Sequence, residues 1–206
     1  MSALLPAELA WYVTGRFYGA KDGALADYGY FLHLAGIEAD LFDGPPGEAS
    51  AHFTFAAVPF RARGVTNGAL NLALDPVGDF SLYLQRRPAG TFDDPASFAR
   101  GECIATFRRT SMVVGTTVDA PSSPTPTPAP AQPLIALNVF SARLVRSAPF
   151  EFAGKHHDLA RTIGQGVTQF GTAADTPIEP PPRNYDLVIP FSGSAIALGV
   201  SDTKPA

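Results

Sequence analysis

Residues 69–85 read ALNLALDPVGDFSLYLQ, and two runs within them alternate strictly between apolar and polar or small residues. Leu70, Leu72 and Leu74 fall on one face, with Asn71 and Asp75 on the other. Phe80, Leu82 and Leu84 alternate with Ser81, Tyr83 and Gln85. Successive side chains of a strand point to opposite faces, so this is a half-buried β pattern. Between the runs lies Asp75-Pro76-Val77-Gly78, with Pro and Gly where a type I turn wants them. The segment predicts a β-hairpin whose leucine face must meet a second apolar layer.

The same alternation recurs along the chain. Strands are expected at Trp11–Tyr18, Tyr28–Leu34, His52–Phe60, Glu102–Val118, Leu134–Arg146, Gly166–Phe170 and Tyr185–Leu198. In the second of these, Tyr28, Tyr30, Leu32 and Leu34 share a face. Glu102–Val118 is expected to bend at Gly115. Leu134–Arg146 changes apolar parity near Val139-Phe140, which reads as a bulge. Pro190 and Gly193 suit an edge, a bulge or a tightly curved strand. Helical signals are short: Ser2–Leu9, Asp94–Ala99 with Pro95 at the first helical position, and His156–Ile163 with Asp158 near its start.

This pattern predicts an all-β fold, an antiparallel β-barrel of roughly eight to ten strands, with a two-sheet β-sandwich as the alternative. Long strands and strong bends favour closure. A proline-rich, low-complexity loop at 119–133 contains APSSPTPTPAPAQP, residues 120–133. Proline lacks an N–H and fixes φ, so this stretch is expected to be extended and solvated. Only about three strands follow it, too few for a separate core. Residues 1–206 are therefore read as one β domain.

Of 206 residues, 46% are hydrophobic and 17% charged, enough to build a core. The formal net charge of −4 disfavours a nucleic-acid partner, since phosphate binding wants a basic face. One cysteine, Cys103, excludes an internal disulfide and is expected to be a small buried residue. No apolar run is long enough to span a membrane as a helix, and no secretory signal opens the chain. The expectation is a soluble cytoplasmic protein.

Four histidines carry the most chemistry: His33, His52, His156 and His157. The adjacent pair His156-His157 diverges on a strand or a helix, so no metal is expected there. His33 and His52 sit in strands that can be neighbours. On a lumen face they would flank a pocket beside Asp27, Glu38 or Asp40, an acid/base arrangement. Glu102 opens a strand with Thr106 and Arg108 on its face. In a lumen that pair would serve anion binding or proton transfer. Arg61, Arg63, Arg86, Arg87, Arg108 and Arg109 form doublets or near-doublets at strand ends and suggest a cationic rim. No phosphate-binding or nucleophile-elbow motif is present.

In strand count and composition the chain resembles calycin-like barrels such as lipocalins, and barrels of the allene-oxide-cyclase type. The lipocalin Gly-X-Trp signature is absent; Thr14-Gly15-Arg16-Phe17 only sets a glycine near an aromatic. Three functions fit. The first is a cavity binding a small apolar or amphipathic molecule, with Arg108, Phe31, Phe53 and Tyr83 as ligand-binding residues. The second is a cofactor-free cyclase or isomerase in the same cavity, with His33, His52 and Glu102 as catalytic residues. The third is an interaction module forming a homo-oligomer through a sheet edge. A filled interior with an apolar outer patch would favour the third; a cavity with converging ionisable groups would favour the second. The sequence leaves open whether the protein is an enzyme.

Overall fold

The computed structural model describes residues 3–60, 63–68, 70–75, 78–110, 113–119, 133–174 and 177–199. Its strands are β1 (Leu9–Ala20), β2 (Leu25–Leu34), β3 (Phe53–Phe60), β4 (Arg63–Asn67), β5 (Leu70–Asp75), β6 (Asp79–Leu84), β7 (Glu102–Arg109), β8 (Val113–Asp119), β9 (Pro133–Ser147), β10 (Phe150–Phe152), β11 (Lys155–His157), β12 (Gly166–Ala173) and β13 (Tyr185–Ala197). A 3-10 turn covers Pro95–Ala99, and the short helix α1 covers Leu159–Thr162. Asp158 caps α1, accepting from the Ala160 amide at 3.0 Å. Of the stretch before β1, the described residues 3–8 form a turn and no helix.

Eight antiparallel strands close into a barrel in the order β12-β13-β1-β2-β3-β6-β7-β9, with β9 returning to β12. That last ladder decides for a barrel over a sandwich. Past one barrel end, the N-terminal half of β9 continues with β8, β5 and β4 as a four-stranded extension. Asp119 pairs with Pro133, so the strands flanking the proline-rich segment are direct neighbours. Residues 120–132 themselves lie outside the described residues.

Three sequence expectations change. β5 and β6 do not form a hairpin with each other. β5 lies between β4 and β8, and β6 lies between β3 and β7. The Asp75–Gly78 segment, of which Pro76 and Val77 lie outside the described residues, joins two strands in line. The chain reverses instead at Asn67-Gly68, where Gly68 has φ 60°. Apolar parity is the same before and after Pro76, so alternation cannot distinguish a turn from an in-line break. Secondly, Gly115 sits inside β8, paired with Ala73 and Asn138; the interruption falls between Arg109 and Val113. Thirdly, β9 has no bulge at Val139-Phe140. There its edge passes from β8 to β7, and the extra residue is Val145. Pro190 keeps the edge position expected of it: in β13 it pairs with Arg16 of β1 on one side, and the β12 ladder ends at Phe191 on the other. The Pro190 carbonyl accepts from the Ala174 amide just beyond the end of β12, so the missing N–H faces no ladder partner.

The lumen is filled by aromatic rings. Trp11 stacks on Phe80 at 5.8 Å and meets Phe107 and Phe31 edge-on. Phe55 bridges Phe31, Phe80 and Phe191. Near the extension, Arg109 points inward, 1% exposed, pairs with Asp27 at 3.2 Å and lies over the Phe140 ring. A second apolar layer lies outside the barrel. There Phe92, Phe98 and their neighbours cover Tyr18, Tyr28 and Ala56 on the outer faces of β1, β2 and β3. Tyr30, Tyr83 and Tyr185 pack against the same layer, so five of the six tyrosines gather there.

Burial pushes the phenols of Tyr18, Tyr28, Tyr30 and Tyr83 above their ordinary value. In the unfolded chain these groups ionise near pH 10. Above that pH the unfolded chain has released protons that the folded chain retains, so stability falls as pH rises past 10. In an alkaline titration, their tyrosinate absorbance is expected to appear together with loss of near-ultraviolet circular dichroism. Ionisation of all six tyrosines with that signal intact would contradict the buried layer.

Candidate functional site

The strand ends opposite the extension are capped by residues 148–165, with Leu159 and Ile163 of this cap buried in the core. The β10–β11 hairpin belongs to it. Its turn residues Ala153 and Gly154 have φ 49° and 73°, the pair of left-handed residues a two-residue type I′ turn needs. Phe150 and Phe152 of the hairpin pack on Phe53 at the end of the lumen.

His52 lies just before β3 and is clamped through its backbone: its amide donates to Leu41, and its carbonyl accepts from Gln85. Its ring Nδ1 lies 3.0 Å from the Gln85 carbonyl oxygen. A carbonyl only accepts, so the ring proton sits on Nδ1 and the neutral imidazole keeps its lone pair on Nε2. The ring rests against Phe152 at 5.2 Å. Arg86, following β6, donates to the Glu151 carbonyl and pairs with Glu102 at 3.0 Å. His52, Arg86, Glu151, Phe152, Ala153 and Gly154 line a surface concavity of about 290 Å³. Its lining offers one imidazole, one guanidinium, one aromatic ring and the acidic Glu151, whose carboxylate pairs with His156 at 3.1 Å.

The expected site residues are divided among three places. His52 lines this concavity, Glu102 reaches it through Arg86, and Phe53 lies beneath the hairpin. Phe31 is sealed in the lumen. His33, Tyr83 and Arg108 are on the outside. His33 is exposed opposite Tyr12, because a bulge beside it leaves Leu32 outward as well and returns only Leu34 to the core. The expectation that Leu32 and Leu34 share the Tyr28/Tyr30 face fails for that reason. The structure does not bring His33 and His52 to one pocket. Tyr83 joins the outer tyrosine layer, and Arg108 forms a two-point ion pair with Asp79, holding that carboxyl below its ordinary value. A bulge at Ile104 leaves Cys103 half-buried on the outside, where full burial was expected.

Two features escaped the sequence reading. Arg109 is inside while Arg108 is outside; Phe107, two residues earlier on a core face, was the available signal. The role of Arg86 depended on a hairpin 65 residues away, for which no local signal exists. His156 and His157 do face opposite ways: His156 pairs with Glu151 at 3.1 Å, and His157 stacks on Phe150. Among the described residues no three metal-ligating side chains converge, and no helix is long and apolar enough to cross a membrane. Compared with known proteins, the chain matches no family model, no curated protein and no solved structure.

Proposed function

We propose that the protein binds a small amphipathic molecule at the barrel end beside His52. One observation carries this reading: a tautomer-fixed imidazole, a guanidinium and the Phe152 ring line one concavity. The apolar body of the ligand rests on Phe152. Its polar head takes a hydrogen bond from Arg86 and donates one to His52 Nε2. The volume is at the small end of the ~300–1,000 Å³ range of ligand sites, so the ligand is compact. Filling of the lumen around Trp11 favours the end of the barrel over its centre as the binding place. A cyclase or isomerase activity at this site would use Nε2 as its base, with Glu102 available only through Arg86.

Salicylate, with an aromatic body, a carboxylate and a hydroxyl, is a suitable probe. Its titration is expected to shift the His52 imidazole resonances. Arg86→Ala should weaken binding about 10–100-fold, the loss of a hydrogen bond from a charged group, and His52→Ala about 2–10-fold, the loss of a neutral one. Unshifted His52 resonances at millimolar salicylate, with no small molecule retained in native mass spectra of protein from its own source, would remove this reading.

A further inference from the structure

A different surface carries a second inference. On the outer wall of β1, β13, β12 and β9, the ladders set Tyr12 opposite Ser194, Ser194 opposite Phe170, and Phe170 opposite Val139. The next row is Thr14, Ser192, Thr172 and Leu137. The row on the other side holds Ile196, Thr168 and Ser141. None of these residues is charged, although the chain has 15 basic and 19 acidic residues. Tyr12, Leu137, Val139 and Phe170 are 41%, 48%, 41% and 47% exposed and lie together on this one wall. Between the rings of Tyr12 and Phe170 the wall has a groove of about 380 Å³, with Ser192 and Ser194 among its lining.

We propose that this wall is the contact face of a homodimer, two barrels packed face to face about a two-fold axis running along the strands between β13 and β12. The rows are self-complementary about that axis. It sets Phe170 of one copy over Ser194 of the other, inside the groove, and Tyr12 over Val139. In the next row it sets Leu137 over Thr14. Phe170 thus meets Ser194 and Leu137 meets Thr14, large against small as in interdigitated sheet packing, and Tyr12 against Val139 adds an apolar contact. At the margin the same axis sets exposed Arg143 of one copy near the exposed Glu8–Leu9 end of β1 in the other.

Charge and size also select a second copy. A face without charge strands no ion when buried against itself, whereas a charged partner would leave its own charges uncompensated. Four strands and three outward residues along each give about 400 Å² in projection, using ~4.8 Å between strands and ~3.4 Å per residue. That suits the apolar centre of an interface burying ~800 Å² per partner within a polar rim.

Sedimentation of the full chain tests the proposal. The wild type is expected to form dimers at micromolar to submillimolar concentration. Phe170→Glu and Ser194→Arg should each weaken dimerisation at least about 100-fold, by introducing an unpaired charge at the centre. Both positions are on the outer wall, so an unchanged near-ultraviolet signal verifies folding. Mixing the two variants should restore a dimer, because the carboxylate introduced by Phe170→Glu in one copy then faces the guanidinium introduced by Ser194→Arg in the other. A wild type that stays monomeric at submillimolar concentration, variants that remain dimeric, or a mixture that stays monomeric each overturns the proposal.

Discussion

Gly29→Ala is expected to destabilise the fold by about 3 kcal/mol or more, at the upper end of what overpacking a core costs. Gly29 of β2 faces Gly15 of β1 across the ladder, beneath the Phe55 ring. A Cβ at Gly29 would lie 2.6 Å from Gly15 Cα and 2.8 Å from Phe55 Cζ, and would collide with the Thr14 carbonyl oxygen. Two of these three neighbours are backbone, so relief requires separating β1 from β2. Gly15 is equally enclosed: its Cβ would meet the Tyr28 carbonyl oxygen and both the Phe55 and Phe191 rings. Neither glycine is needed for a positive φ; the requirement is for space. Gly64→Ala is the control, since nothing lies within 4 Å of a Cβ there. Urea unfolding should show a lower midpoint at constant slope for Gly29→Ala and almost no change for Gly64→Ala. Equal midpoints for the two variants would show that the lumen is not packed in this way.

Trp11→Ala should cost about 3–5 kcal/mol, a large part of the 5–15 kcal/mol that holds a typical domain together. The indole is fully buried, is contacted by three phenylalanine rings, and donates from Nε1 to Gln169 Oε1 at 3.1 Å. Removing it opens a cavity and leaves the Gln169 oxygen without this donor. Trp11→Phe separates the two effects. It keeps a ring against Phe80 but loses the hydrogen bond, so about 1–3 kcal/mol should be lost. Trp11→Phe combined with Gln169→Leu should recover part of that loss, because no buried acceptor then remains unpaired. Thermal and urea melts followed by far-ultraviolet circular dichroism give all three values. A Trp11→Ala protein within about 1 kcal/mol of wild type would be incompatible with a Trp11-centred core.

Much of the architecture was legible in the chain. The alternation around Phe80, Leu82 and Leu84 placed β6 and its core face correctly, and Phe53 and Phe55 did the same for β3. Bulges defeated the reading at Leu32 and Ile104. One extra residue reverses side-chain direction, and nothing in the residue types marks where a partner strand skips. The candidate site was half legible. His52 was identified as a residue with chemistry to offer, but its neighbours were not. The Gln85 carbonyl that fixes its ring is a backbone atom without a sequence signature, and Phe152 arrives on a hairpin about 100 residues later in the chain.

By itself the sequence determined that the chain is a β protein with a phenylalanine- and leucine-rich core face, because side-chain alternation is a local property of the backbone. Barrel closure, the inward turn of Arg109, the grouping around His52 and the charge-free outer wall were decided only in three dimensions. Each depends on which strands pair and in what register. Those choices join residues as far apart as Trp11 and Gln169, 158 positions along the chain, and no local pattern encodes them.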